Sequence, residues 1–491
     1  MSFYVNFMKN SSLINLLQAL NAKEFKLLGD FVQSPIHNSN KNCIALYKYL
    51  KQAYPDFEEK AINKERVGVK LFGDKEKATK NMAFLMTTMS NLVQEFLIWL
   101  QLEENSDVRN TLLLKSLSER GIKKHFIAKY QSSLDELERQ GSESSVSYFG
   151  DKYEKLSLLQ EFNELNKDDT LPIDLQEIAD TFYKHSLLQQ LHIAAIIVNK
   201  ATITNLSYDR NAIDELLEIV ERKAFLSETI IKLYYHTLKL LLNNLDNRED
   251  TADNFGLLKQ TLSEATNKVA TNELYNFYVY AHSYCNRQVQ RGKEVFRAEA
   301  FDLYRQQLAQ NALEKNGYIA PGNIRNMVTL GLLCNETTWV RHFIDFAQNK
   351  VAPKFQSDLY ALNLGAFYFF TKNYNKCIEQ LHQIENFIDP IYQIEAKSLL
   401  LRVYYELNET LAFDALIVSF REYIRYQKNI TEQRKEAYLN FIGFINKLFN
   451  LYPNYKNDQN KLAVLAQEIS LCNNISERKW LLDKINVLLD P

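Results

Sequence analysis

The chain has little glycine and little proline, with 13 Gly and 8 Pro among its 491 residues. Average usage would give about 34 and about 25. Turns at positive φ, β-hairpins and bulges depend on glycine. No long stretch alternates apolar and polar residues as a half-buried strand does. Few bends other than short helix-to-helix connections are therefore available, and the sequence predicts an all-α protein.

Cysteine is also scarce, and it is unpaired. The five cysteines form no CxxC pair and are widely scattered: Cys43, Cys285, Cys334, Cys377 and Cys472. This usage is typical of small core side chains in a reducing compartment. The most apolar run, Ile193 to Val198, is far too short to span a bilayer, and the first residues lack the pattern of a secretory signal. We expect a cytoplasmic protein that does not bind a membrane.

Neither sign of charge dominates, because the sequence has 58 basic and 60 acidic side chains and a formal net charge of −2. Non-specific nucleic-acid binding depends on basic patches that release counterions, and the neutral total gives it no support. Two basic stretches remain as candidates for phosphate contact, Lys64 to Lys80 and Arg421 to Lys435. Both also carry acidic residues, and a solvated helix face is the simpler interpretation.

The motifs of common catalytic and nucleotide-binding sites are missing: the sequence has no GxxxxGKS/T, GxGxxG, HExxH or GxSxG. His282 and Cys285 lie one helical turn apart, but zinc needs three or four protein ligands. His185 and His192 are two turns apart, about 10 Å along a helix, which is too far to share an ion. Acidic pairs fall on charged helix faces: Glu215/Glu218, Asp135/Glu138 and Glu103/Glu104. We expect no catalytic residue, no metal and no cofactor.

Apolar residues at helical spacing predict three regions. These are a helical N-terminal domain over 1–105, connecting helices and a linker over 106–148, and helical hairpins over 149–491. In the first region, Ser39 or Asn40 can cap a helix, and a continuous apolar stripe predicts one long helix from Lys75 to Glu104. Val67 to Leu71 also fits a short strand of a winged helix-turn-helix, although no second strand follows. The clearest linker is Gln140 to Ser147, with four serines.

The third region contains a possible repeat, because Leu330-Gly331 and Leu364-Gly365 lie 34 residues apart. From Leu359 the chain reads LYALNLGAFYFFTKNYNKCIEQLHQIENFIDP. This segment resembles a tetratricopeptide repeat (TPR) through Leu364, Gly365, Tyr368, Tyr374, Cys377 and, one place late, Pro390. The neighbouring units match less closely, through Leu330, Gly331 and Trp339 before it and Leu400, Tyr404 and Ala415 after it. The resemblance covers about residues 323–425. It implies an irregular TPR-like α–α superhelix with C-terminal capping helices.

The resemblance also implies a binding surface, because TPR-like proteins contact ligands with the inner face of each first helix. The positions carried over are Leu359, Leu362, Asn363, Ala366, Phe369 and Phe370, with Arg325, Val328 and Leu332 before them and Ser398, Arg402, Tyr405 and Glu406 after them. The candidate partner-binding residues among these are Arg325, Asn363, Phe369, Phe370, Arg402 and Tyr405. Leu362 and Ala366 replace the Lys and Asn of the family's carboxylate clamp. The wall either is open to a partner or packs against another part of the chain.

The expected function is a non-enzymatic scaffold or adaptor that binds a protein or peptide on the concave face of a helical repeat array. The alternative is a regulator whose N-terminal helical unit contacts nucleic acid while the superhelix senses a peptide or protein. A third hypothesis, a hydrolase or transferase with an unfamiliar site, predicts a deep polar pocket with clustered titratable groups.

Overall fold

The computed structural model describes residues 8–58, 62–139, 145–167, 171–202, 204, 206–222, 225–246, 248–250, 252–266, 268–315, 317–384, 389–451 and 459–489. These residues form 23 α-helices and one hairpin of two very short strands, which confirms the predicted all-α class. The chain divides into two compact units. Unit 1 comprises Met1–Arg139 and Asp151–Ile178, and unit 2 comprises Gln140–Gly150 and Ala179–Pro491.

The first helices are α1 (Ser12–Gln18), α2 (Ala22–Gln33), α3 (Lys41–Leu50), α4 (Lys64–Phe72), α5 (Lys75–Glu104), α6 (Ser106–Glu119), α7 (Lys123–Arg139), α8 (Val146–Asn166), α9 (Leu175–Ala201), α10 (Arg210–Arg222), α11 (Thr229–Leu245) and α12 (Asn254–Glu264). The remaining helices are α13 (Thr271–Gln290), α14 (Phe296–Ala309), α15 (Pro321–Leu333), α16 (Thr337–Gln348), α17 (Gln356–Phe370), α18 (Tyr374–His382), α19 (Pro390–Leu407), α20 (Thr410–Tyr426), α21 (Glu432–Leu451), α22 (Gln459–Leu471) and α23 (Arg478–Leu489).

In unit 1, α1 to α5 share a hydrophobic core that is built against the long helix α5. The predicted bounds of α5 are confirmed, and its buried stripe includes Met82, Met89 and Phe96. Asn40 is the N-cap of α3, and its side chain accepts a hydrogen bond from the Asn42 amide at 3.0 Å. The segment Val67 to Leu71 lies in α4, so it is helical and not a strand.

Helices α6 and α7 pack with the Asp151-to-Asn166 part of α8 around a second core of unit 1. The rings of Phe126 and Phe162 stack there, with centroids 3.9 Å apart. Of the predicted linker, residues 140–144 lie outside the described residues. Val146 and Ser147 begin α8, so the linker prediction was wrong for these two positions.

In unit 2, each helix from α11 to α23 packs against the next one along the chain. Odd-numbered helices also contact each other in the pairs α11–α13, α15–α17, α17–α19 and α21–α23. Helices α11, α15, α17 and α21 therefore contact both the next helix and the next but one along the chain. The loop between α14 and α15 holds the hairpin of β1 (Glu314–Lys315) and β2 (Tyr318–Ile319).

Five turns in unit 2 share one geometry. After α13, α14, α15, α17 and α19, one residue adopts the left-handed conformation: Gly292, Asn311, Asn335, Lys372 and Asn408. The next amide then donates to the carbonyl five residues earlier, for example Asn373 N to Tyr368 O at 2.8 Å and Glu409 N to Tyr404 O at 3.0 Å. This is the Schellman arrangement, which satisfies the last carbonyls of a helix and reverses the chain.

Candidate functional site

Unit 2 contains a cavity of about 730 Å³. Its wall is supplied mainly by odd-numbered helices, namely α13, α15, α17, α19, α21 and α23, with α14 at one end. This volume lies in the range of sites that hold a small ligand or an anchoring side chain. We take this cavity as the candidate functional site.

Arg325 crosses the cavity wall from α15 to two other helices. Its Nε donates to Glu395 Oε2 on α19 at 2.9 Å, and its Nη1 donates to Asn363 Oδ1 on α17 at 2.9 Å. Asn363 itself is buried. The guanidinium is therefore fixed by one carboxylate and one buried amide. Charge-assisted bonds of this kind hold the planar group in a defined orientation.

Arg402 on α19 is held in a similar way. Its Nη1 donates to Glu477 Oε2 at 2.9 Å, and its guanidinium lies over the ring of Phe369, 4.9 Å from the centroid. Its Nε is buried without a hydrogen-bond partner. Tyr438 on α21 also faces these charges, and burial, with added repulsion from Glu395 and Glu477, raises the pKa of its hydroxyl to about 12. Tyr438 is therefore a neutral donor at physiological pH.

Apolar side chains form another part of the cavity wall. Phe370 at the end of α17 is 37% exposed and Leu333 at the end of α15 is 46% exposed. Phe369 and Trp480 add two further rings to the lining. Exposed aromatic surface inside a concave site is the usual anchor for an apolar group of a partner.

His282 lies at the α13 end of the cavity, with its ring stacked on Tyr304 at a centroid distance of 3.7 Å. Gln307 Nε2 donates to the Ala312 carbonyl, which places Gln307 Oε1 at 3.4 Å from His282 Nε2. His282 Nε2 therefore carries the proton, and Nδ1 is a buried acceptor without a partner. Burial lowers the pKa of His282 to about 4, so the ring is neutral at physiological pH.

This burial predicts a pH dependence of stability. The unfolded chain binds a proton at His282 below its ordinary pKa of about 6.5, whereas the folded protein does not bind one until about pH 4. The free energy of unfolding should therefore decrease as the pH is lowered from 7.5 to 5. His282 should account for about 2 kcal/mol of this decrease. Urea unfolding of the wild type and of His282→Phe, which keeps a stacking ring, measures this difference. A loss between pH 7.5 and pH 5 that is equal in both proteins would contradict it.

The structure places four of the six candidate partner-binding residues in the cavity wall: Arg325, Phe369, Phe370 and Arg402. The other two are buried beneath it. Asn363 accepts the bond from Arg325, and Tyr405 packs edge-on against Phe449 and Trp480. The inner-face positions Leu359, Leu362, Val328 and Ser398 are also buried. Sequence reasoning missed Glu395, Glu477, Trp480 and Tyr438.

The inner wall packs in part against another segment of the same chain. Trp480 and Glu477, at the start of α23, contact α19 through Tyr405 and Arg402. Lys484 on the same helix pairs with Glu406 at 2.5 Å. One side of the α19 face is thus covered by α23, and the cavity lies beside that contact.

The other groups singled out in the sequence lie away from the cavity lining. Cys285 is buried, and burial raises the pKa of its thiol. His192 Nδ1 lies 2.8 Å from the Tyr234 hydroxyl, while His185 packs beside Gly150. The acidic pairs are exposed, as predicted: Glu215/Glu218, Asp135/Glu138 and Glu103/Glu104. Within the described residues, no three of His, Cys, Asp and Glu come close enough to hold one metal ion.

The two basic stretches lie in different units. In unit 1, Lys75 pairs with Glu65, and the Lys70 ammonium lies over the Tyr49 ring, 4.9 Å from its centroid. In unit 2, Lys435 pairs with Glu432 at 2.7 Å. At least part of each stretch is therefore engaged within the protein.

In comparisons with protein-family models, curated proteins and solved structures, none matches this chain. Among the described helices, none combines enough length with enough apolar character to cross a lipid bilayer.

Proposed function

We propose that this protein is a non-enzymatic cytoplasmic scaffold, and that unit 2 is a TPR-like α–α superhelix that binds a protein or peptide in the cavity described above. The observation that carries the proposal is that alternate helices of a hairpin array meet around one concave, partly apolar surface. Stacked helical hairpins commonly use such a surface for a macromolecular partner. The step from fold to function is an analogy.

The repeat is supported by spacing and by close packing. Helices α15, α17 and α19 begin at Pro321, Gln356 and Pro390, at nearly constant intervals. The glycine of each Leu-Gly pair lies where its helix approaches the following helix closely. A Cβ on Gly331 would lie 2.5 Å from Val340 Cγ2, and one on Gly365 would lie 2.8 Å from Leu381 Cδ2. The same left-handed turn follows each of these three helices, at Asn335, Lys372 and Asn408.

The test uses a variant that changes the cavity without removing a buried contact. Leu333→Ser/Phe370→Ser, called the cavity variant, replaces two exposed side chains of the lining. We expect a protein partner captured by the wild type from native lysate to bind the cavity variant at least about tenfold more weakly, since exposed aromatic anchors dominate such interfaces. Quantitative affinity purification with and without nuclease measures this ratio.

The matched control is Phe346→Ser/Leu411→Ser, which replaces two exposed apolar residues of α16 and α20 outside the cavity lining. It should retain the partner as the wild type does. A partner that is lost with nuclease and is indifferent to the cavity variant would contradict the scaffold proposal. That result would favour the nucleic-acid regulator, whose candidate surface is the basic stretch of unit 1.

A further inference from the structure

The charges in the cavity wall neutralise one another. Arg325 is paired with Glu395, Arg402 with Glu477, and Arg297 with Glu294. Two charged residues of α23 remain in the described lining, Lys479 and Asp483, which have opposite signs and lie one helical turn apart. Every guanidinium of the described wall thus already has a carboxylate partner.

The half of the cavity nearest α13 has one charged side chain of α14 in its lining, Arg297, which is paired with Glu294. Its other polar side chains are uncharged: Asn286, Asn326, Thr329, Tyr304 and His282. His282 is neutral because burial lowers its pKa to about 4. Asn326 donates to the Tyr304 hydroxyl at 3.1 Å. Uncharged amides and hydroxyls satisfy the main-chain groups of a peptide without requiring a charge on it.

We propose that the partner segment is uncharged and carries an aromatic or large aliphatic side chain that packs against Phe369, Phe370 and Trp480. This inference rests on the proposed function and specifies the chemistry of the ligand. An acidic segment would have to displace Glu395 or Glu477 from its arginine, or lie beside those carboxylates. A basic segment would meet the paired guanidinium groups. Both charged classes are disfavoured by electrostatic repulsion and by the desolvation of charge in a partly enclosed site.

The experiment selects peptides from a randomised 12-residue library displayed on phage, with the immobilised full-length chain as the target. Peptides that also bind the cavity variant are removed by counter-selection. We expect the remaining peptides to have no net charge and to share an aromatic or large aliphatic residue. Their Kd should change less than about twofold between 50 and 500 mM NaCl, because they neutralise no protein charge.

A second arm tests the role of the paired carboxylates. In Glu395→Gln, Arg325 keeps its bond to Asn363 but loses its charge partner. An acidic analogue of a selected peptide should bind this variant about tenfold more tightly than it binds the wild type. No such gain would contradict the proposed neutralisation of the wall.

The outcomes separate the two proposals. Neutral, aromatic-bearing peptides that require the cavity support both. Peptides that require the cavity but are consistently acidic or basic, with a steep salt dependence, overturn the inference and leave the scaffold function standing. A selection in which no peptide distinguishes the wild type from the cavity variant overturns both.

Discussion

Replacing Gly331 by alanine is expected to lower the free energy of unfolding by about 2 kcal/mol, because one methyl group must enter a contact that has no room for it. The added Cβ would lie 2.5 Å from Val340 Cγ2 on α16 and 3.1 Å from Phe301 Cε2 on α14. In an open helical site, the same change would stabilise the protein by about 1 kcal/mol through helix propensity. Chemical denaturation of the full-length chain, with the transition of unit 2 as the readout, measures the difference.

Gly443 provides the matched control. It lies within α21, and an added Cβ would meet no atom within 4 Å. Gly443→Ala should therefore be neutral or stabilising by up to about 1 kcal/mol. Adding Val340→Ala to Gly331→Ala should cost less than the sum of the two single changes, because the smaller side chain admits the new methyl group. If Gly331→Ala had the same free energy of unfolding as Gly443→Ala, the result would contradict the close approach of α15 and α16 at Gly331.

Replacing Asp107 by asparagine should destabilise the protein by about 3 kcal/mol, since it leaves a buried ammonium without its counter-charge. Lys155 on α8 is only 2% exposed, and its Nζ lies 3.6 Å from Asp107 Oδ1 on α6. By contrast, Lys155→Met replaces the charge with an apolar side chain of similar length. It should be neutral or stabilising in the Asp107→Asn background. Urea unfolding of the single and double variants provides the measurement.

A second ion pair joins the same two helices and serves as the comparison. Lys115 and Glu154 lie 3.0 Å apart, and each is about half exposed. Glu154→Gln should cost less than about 1 kcal/mol, because exposed ion pairs contribute little. Equal losses in Asp107→Asn and Glu154→Gln would show that burial does not set the cost here.

Helices were predictable because their signals are local. The period of apolar residues located α5, and the side chain of Asn40 marked the start of α3. The hairpin Glu314 to Ile319 carried a signal that was missed, since Asn316-Gly317 is a typical hairpin dipeptide. The serine-rich composition at Ser147 suggested a linker, but a helix can begin in such a stretch when its following residues are apolar.

The candidate site was predictable only in part, because it depends on contacts between distant segments. Helical spacing placed Asn363 and Phe370 on the same side of α17, two turns apart. The packing of α15 and α19 against α17 determines that Asn363 is buried and Phe370 exposed. Glu477 binds Arg402 from 75 residues away, and nothing near either residue indicates the pair. Charge neutralisation of the wall is therefore a property of the tertiary structure.

The contact between α23 and α19 forms late during synthesis on the ribosome, because α23 is translated after the other helices of the cavity wall. Glu477 and Trp480 are translated long after Arg402 and Tyr405, so the helices of most of the wall emerge before α23 can lie beside them. Until then the Arg402 guanidinium lacks its carboxylate and the ring of Phe369 lies at an unfinished edge. A nascent chain would thus present a surface with more positive charge and more exposed apolar area than the finished protein. The cavity wall is completed only after synthesis has passed α23.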